Sequence, residues 1–241
     1  MDFSKFLSHS DAARAQGTLA RLRAHRIEPL VLTGGLAIEL HWHRFGFPAQ
    51  LRPLNDIDFL VNSFDEIPRT LGVNLLFRHV HPSDPPARTL LQCIDPETAV
   101  RVDIFRTYGN IVNRAIPVAL CGITMRMVSV EDLIARTARL CMDLRAGEQM
   151  PPKHARDFLR VLPLADRDEV EPAWQEHRKP NHPRSFVDAA NLLQDLIGAR
   201  RDLQIVPVYS QDVSATCSRC KPTQAFPLAD ATRVLSLLGY C

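Results

Sequence analysis

The chain has 241 residues, 46% of them hydrophobic and 23% charged, with a formal net charge of +2 at pH 7. That composition is ordinary for a globular protein with a sizeable core, and the charge alone gives no sign of a nucleic-acid binder. No apolar run approaches the roughly 20 residues of a membrane span, the start MDFSKFLSHSDAARAQ has no apolar signal-peptide region, and six Cys make no dense secreted framework. No membrane association is therefore expected, and a reducing cytoplasm is the expected location.

In chain order, residues 9–26 predict a helix, with Ser10 or Asp11 as its cap and Ala13, Leu19, Leu22 and Ala24 as a partial apolar stripe. Pro29 to Leu32 reads as a short buried strand, broken by Thr33-Gly34-Gly35, and Leu36 to Arg44 reads as a helix. A loop bearing Pro and Arg covers 46–54, and Asp56 to Val61 is a strand. A helix is expected over Phe64–Leu71, then strands over 75–81, 88–94 and 99–106, with turns at Pro82–Pro86 and Asp95-Pro96. Residues 115–128 add one or two strands.

Ser129 followed by Glu131-Asp132 starts a helix that should run to about Ala146, because an oxygen cap and acids favour the positive helix end. After a break at Gly147–Pro152, helices are expected over Lys153–Leu162, Asp166–Arg178 and Phe186–Leu203. The expected fold is α/β (α+β), a small mixed twisted sheet flanked by helices and followed by a helical C-terminal region. The order divides the chain into a core over 1–128, a helical region over 129–205 and a cysteine-bearing tail over 206–241.

Asp56 and Asp58 stand at i and i+2 of one strand, so both carboxylates face the same way. Two such groups repel unless a cation neutralises them, and hard oxygen ligands suit Mg²⁺ or Mn²⁺. Asp103 stands inside Val102-Asp103-Ile104-Phe105, a costly place for a carboxylate that is neither paired nor metal-bound. Three acids on neighbouring strands could hold two metals that clamp the attacking and leaving oxygens of a phosphoryl transfer. Upstream, Gly34-Gly35 between strand and helix allows positive φ and offers helix-start N–H groups to a phosphate. Taken singly, a Gly-Gly pair is most often a turn and Asp-x-Asp a solvated strand end. The ordered set is more informative than either part.

That set resembles the DNA polymerase β-like nucleotidyltransferase superfamily. The stretches Leu32-Thr33-Gly34-Gly35-Leu36-Ala37 and Arg52-Pro53-Leu54-Asn55-Asp56-Ile57-Asp58-Phe59 look closest to AbiEii-type and MenT-type toxin nucleotidyltransferases. Arg52, four residues before the first Asp, matches an Arg common there. Lys153-His154-Ala155-Arg156-Asp157 is similar to their helical Lys-x-x-Arg-Asp segment, with Lys153, Arg156 and Asp157 on one face. The resemblance covers roughly residues 28–165.

The resemblance implies that Gly34 and Gly35 hold the triphosphate of an NTP and that Asp56 and Asp58 bind the metals. Asp103 would complete the metal site and help deprotonate an acceptor hydroxyl. Lys153 would touch phosphate, with Arg52 also on the nucleotide side, and Asp157 would orient Lys153 or the acceptor. The simpler reading of Lys153 and Asp157 is a surface ion pair. The acceptor implied is RNA such as a tRNA end, a protein or a small molecule, with an antitoxin as partner in the toxin-type members. Leu36 departs from the pattern, which carries Ser or Thr directly after the Gly pair; Thr33 is the nearest hydroxyl. A catalytically silent nucleotide- or nucleic-acid-binding module is therefore a rival reading.

Cys217-Ser218-Arg219-Cys220 with Cys241 reads either as a zinc grip or as inert or disulfide-forming thiols, with His177, His182, Asp212 or a partner chain as further ligand. A partner-binding protein recruiting through that tail is a third reading. Cys93, Cys121 and Cys141 read as buried packing residues. His41 and His43 flank Trp42 on different helix sides, against a shared metal. Of 29 basic residues only Lys5, Lys153, Lys179 and Lys221 are Lys. Arg44, Arg52, Arg69, Arg78, Arg88, Arg101 and Arg106 could form a basic rim for RNA, though each reads more simply as solvated surface.

Overall fold

The computed structural model describes residues 2–48, 51–80, 90–144, 150 and 152–204. The expected turn at Pro82–Pro86, the start of the 88–94 strand, the break at Gly147 and the whole cysteine tail lie outside the described residues.

Among the described residues, seven strands form one mixed sheet: β1 (Val31–Thr33), β2 (Asp56–Val61), β3 (Leu76–Val80), β4 (Leu90–Ile94), β5 (Arg101–Arg106), β6 (Ile116–Leu120) and β7 (Ile123–Met127). Their order is β3-β4-β5-β2-β1-β7-β6. β2 lies at the centre, antiparallel to β1 and parallel to β5. The apolar residues Ile57, Phe59, Leu60 and Val61, interrupted only by Asp58, are what a central strand needs, and all four are buried. β6 and β7 form a hairpin whose turn residues, Cys121 and Gly122, both have positive φ (52° and 75°), as a tight two-residue turn requires. Cys93 and Cys141 are buried as expected, whereas Cys121 is half-buried in this turn.

Helix α1 (His9–Arg23) is capped by Ser8, not by Ser10 or Asp11: the Asp11 N–H donates to Ser8 Oγ at 3.2 Å. Asp11 is instead turned inward, accepting from Arg14 and from the backbone N–H of Leu54. That bond, with Arg52 N donating to Phe6 O at 3.0 Å, ties the loop ahead of β2 to the amino-terminal segment. Helix α2 (Gly34–Arg44) starts directly on leaving β1, so the Gly pair forms its first turn rather than a separate break.

The helix expected over Phe64–Leu71 is two 3₁₀ turns, Phe64–Glu66 and Arg69–Val73. Pro68 has no N–H and disfavours a helical predecessor, and Ile67 is accordingly extended (φ −68°, ψ 125°). The carboxy-terminal helices are α3 (Val130–Leu144), α4 (Pro152–Val161), α5 (Arg167–His177), α6 (Phe186–Ala199) and α7 (Arg201–Gln204). Ser129 caps α3 by accepting from Asp132 N, and Asp166 with Glu169 forms a capping box on α5. The single helix expected over Phe186–Leu203 is broken at extended Arg200 (φ −112°, ψ 104°). Gly198, the weakest helix former in the run, precedes the break, and α7 turns back onto α4 with Leu203 buried. α3 packs on α4, α5 and α6, and α4 reaches α2, which brings the helical part to the Gly-Gly turn.

Candidate active site

Parallel pairing of β2 with β5 sets Asp58 opposite Asp103 and Asp56 opposite Arg101. The first and third residues of each strand project to one face, so three carboxylates converge there. One oxygen from each of Asp56, Asp58 and Asp103 lies within 4.8 Å of the others. Three hard oxygen donors at that spacing fit a divalent cation of the Mg²⁺ or Mn²⁺ type.

The electrostatics agree with that donor set. Burial first, then the neighbouring charges of Asp56 and Asp103, push the Asp58 carboxyl up to about 8, against the partial relief of Arg136 and Lys153. Burial and two like charges thus outweigh the positive charge nearby.

Gly34 has φ +68°, and a Cβ there would sit on the Asp58 carboxylate. Both the backbone conformation and the close approach therefore demand glycine. A Cβ on Gly35 would lie 2.7 Å from Cζ of Arg52, whose guanidinium lies against this turn. Arg52 is buried, not solvated, with Nη1 3.4 Å from Glu39 Oε1 and 3.7 Å from Asp157 Oδ1. Arg160 donates to both oxygens of the same buried Glu39, at 2.6 and 2.9 Å. Two arginines and two acids thus brace the underside of the Gly-Gly turn. Asp157 belongs to this network through Arg52.

A cavity of about 200 Å³ opens beside the cluster, between the first turn of α2, the sheet, α3 and α4. Of the residues singled out in the sequence, Thr33, Gly34, Gly35, Arg52, Asp58, Lys153 and Asp157 line it. Asp56 and Lys153 border a smaller recess on the other side of the Gly-Gly turn, with Asn55 and Pro53. Leu36 is buried in the core, so its side chain leaves the phosphate-facing position to others. Thr33 Oγ1 faces the cavity and accepts a long hydrogen bond from Arg136 Nη1 at 3.5 Å.

Arg136 did not emerge from the sequence reading. It is half-buried on α3, its guanidinium 5.5 Å from the centre of the Phe105 ring. Burial lowers its pKa, and the nearby Asp58 charge works in the opposite direction. The signal that could have found it is an Arg set among Leu133, Ile134, Ala135 and Ala138 on a helix that buries those positions. Phe105, Ile38, Leu133 and Leu140 give the cavity apolar walls.

Arg101, read as solvated surface, instead bonds Asp56 and lies 3.3 Å from Asp103. His41 is buried and donates to the Val128 carbonyl at 2.8 Å, with no shared site with His43. His177 and His182, weighed as zinc ligands, are engaged elsewhere: His177 with Asp132 and Tyr108, His182 with Asp143. Cys217, Cys220, Cys241 and Asp212 lie outside the described residues. Among the described residues, no helix is long and apolar enough to cross a membrane.

No protein-family model matches the sequence, and no curated protein matches it. Among solved structures the chain is similar to an antigenic nucleotidyltransferase-like protein from Paracoccidioides brasiliensis, at 17% identity over 82% of this chain and 92% of that one, with a TM-score of 0.45. It is also similar to JHP933 from Helicobacter pylori, at 13% identity over 96% of this chain and 91% of that one, with a TM-score of 0.45.

Proposed function

We propose that the protein is a divalent-metal-dependent nucleotidyltransferase that moves a nucleoside monophosphate from an NTP to a hydroxyl and releases pyrophosphate. The observation that carries this reading is the convergence of Asp56, Asp58 and Asp103 beside the Gly34-Gly35 turn, with Asp58 lining a cavity that Lys153 and Arg136 also line.

A divalent cation bound by the three acids would supply charge neutralisation at the transferring phosphoryl group. The chain's own groups do the rest. Gly34 and Gly35 present the N–H groups of the first turn of α2, an anion-binding end, to the phosphates. Lys153 and Arg136 offset phosphate charge from the opposite wall, and the Thr33 hydroxyl stands where a further donor is needed. Phe105, Ile38, Leu133 and Leu140 take the flat face of the base and exclude water from it. Asp103 accepts the proton of the acceptor hydroxyl as that oxygen attacks the α-phosphorus. Glu39, Arg52, Arg160 and Asp157 hold the Gly-Gly turn in place.

The likeness of the Gly-Gly and Asp-x-Asp segments to AbiEii-type and MenT-type enzymes makes RNA, such as a tRNA end, the first acceptor to try, and an antitoxin the first partner. The test is incubation with each labelled NTP, Mg²⁺ or Mn²⁺, and total RNA plus protein extract, beside Asp56→Ala/Asp58→Ala. Label in a macromolecule only with the acids intact supports the transferase and names nucleotide and acceptor. The core position of Leu36 favours a second reading, a silent nucleotide-binding module. NTP binding by a folded protein without transfer to any acceptor would select it.

A further inference from the structure

The three carboxylates are not alone on their face of the sheet. Arg101 stands two residues before Asp103 on β5, so both side chains project the same way, and the register sets it opposite Asp56. Its Nη2 donates to Asp56 Oδ2, and its Nε lies 3.3 Å from Asp103 Oδ2. The side chain is only 16% exposed. One guanidinium therefore spans two of the three acids. By contrast, no ion pair joins Lys153 or Arg136 to the cluster among the described residues; both act on Asp58 through the electric field.

We propose that Arg101 is the resident counter-ion of the carboxylate cluster, occupying Asp56 and Asp103 until a divalent cation displaces it. The inference rests on the metal-dependent reading above and adds a competitor to it. The same carboxylates, Asp56 and Asp103, serve the guanidinium and would serve the cation. Two positive charges cannot share them without strong repulsion. Cation entry therefore breaks two partly desolvated ion pairs, which lowers the apparent affinity of the free protein for metal. Before the cation arrives, the same pairs limit repulsion between acids that the β2–β5 register forces together. Asp58 is left out of the bridge and faces the cavity, which makes it the open side of the cluster.

The test is titration of the whole protein with Mn²⁺ alone at neutral pH, reading free Mn²⁺ by electron paramagnetic resonance, for the wild type, Arg101→Gln and Arg101→Lys. Glutamine keeps a polar side chain on the strand and removes the competing charge. The expected result is a Kd about tenfold lower for Arg101→Gln, because a close partly buried charge pair no longer has to be broken. Arg101→Lys, whose single ammonium cannot fork across both acids, should fall in between, about threefold lower. If Arg101→Gln fails to unfold cooperatively, the lysine variant decides in the same direction. An unchanged Kd in a folded variant overturns the counter-ion role. A raised Kd overturns it too, and makes Arg101 a group that positions the acids for metal. Absence of Mn²⁺ binding in wild type and variants alike overturns the metal reading itself, which separates that failure from the failure of the Arg101 inference.

Discussion

Two clusters of charge in this protein are built on opposite plans. Around Arg114 every acid is matched to donors. Its guanidinium binds both oxygens of fully buried Asp132 at 2.8 and 2.7 Å and reaches Glu176 at 2.7 Å. His177 and Ser129 also donate to Asp132, and Glu176 receives the backbone N–H of Asn110. Burial alone would raise the Asp132 pKa, but hydrogen bonds from Arg114 and His177 outweigh it and the group stays low. Arg114 holds Glu176 down to about 2. On β2 and β5 the match is incomplete: Arg101 reaches Asp56 and Asp103 but not Asp58, whose pKa is driven up. The first cluster is complete and welds α3, α5 and the loop after β5. The second leaves Asp58 without an ion-pair partner among the described residues, the kind of perturbed acid that marks a candidate site rather than a brace.

The largest expected effect falls on the mismatched cluster. Asp58→Ala should lower nucleotidyl transfer by about 1000-fold, the scale of losing a principal charge-stabilising group, measured as label incorporation per unit time. The same variant should show no Mn²⁺-induced rise in Tm.

Next in size is the matched cluster. Arg114→Met should cost about 3 kcal/mol in urea unfolding, because it leaves Asp132 buried without its main cation. The loss should appear without Mn²⁺ and be no larger with it. A cost near zero would mean that His177 and Ser129 suffice for Asp132 and that Arg114 does not hold its cluster together.

Gly34→Ala should cost about 2 kcal/mol from a left-handed backbone and the clash with Asp58 combined, read from the urea midpoint. Its Mn²⁺ affinity should also fall, since the Asp58 carboxylate must move.

The smallest effects are pH slopes, and they should have opposite signs. Glu176 has its folded pKa lowered from 4.5 to about 2, so its contribution is present above pH 4.5 and is lost as pH falls through about 2. Asp58 has its folded pKa raised from 3.8 to about 8 by burial and by Asp56 and Asp103, with Lys153 and Arg136 opposing. Metal-free stability from this group is therefore greatest below pH 3.8 and declines as pH rises toward about 8. Urea midpoints across pH 2 to 9 check both, and Mn²⁺ should flatten the upper slope alone.

Much of the mixed sheet and of the site was legible because it rests on local periodicity. Asp56 and Asp58 share a face by a spacing of two, Asp103 interrupts an apolar run, and Gly34-Gly35 stands between a strand and a helix. The departures had local causes of a different kind. Pro68 split the expected helix over Phe64–Leu71, and Asp11 left the capping role to Ser8 because it was needed inside, on Leu54 N. Cys121, read as core, served a turn that demanded positive φ.

What the amino-acid order determined by itself was therefore which chemistry the chain could assemble: the acids, the glycine turn and the cationic helix segment at Lys153. Only the tertiary structure decided what each charge does. Arg52 and Arg101 look alike in sequence, yet one braces the Gly-Gly turn with Glu39 and Asp157, and the other bridges two of the acids. Arg160 meets Glu39 across 121 residues of chain, and Arg114 meets Glu176 across 62. Such pairings carry no sequence period. They depend on which side chains folding removes from water together, because a buried charge is tolerable only beside its complement.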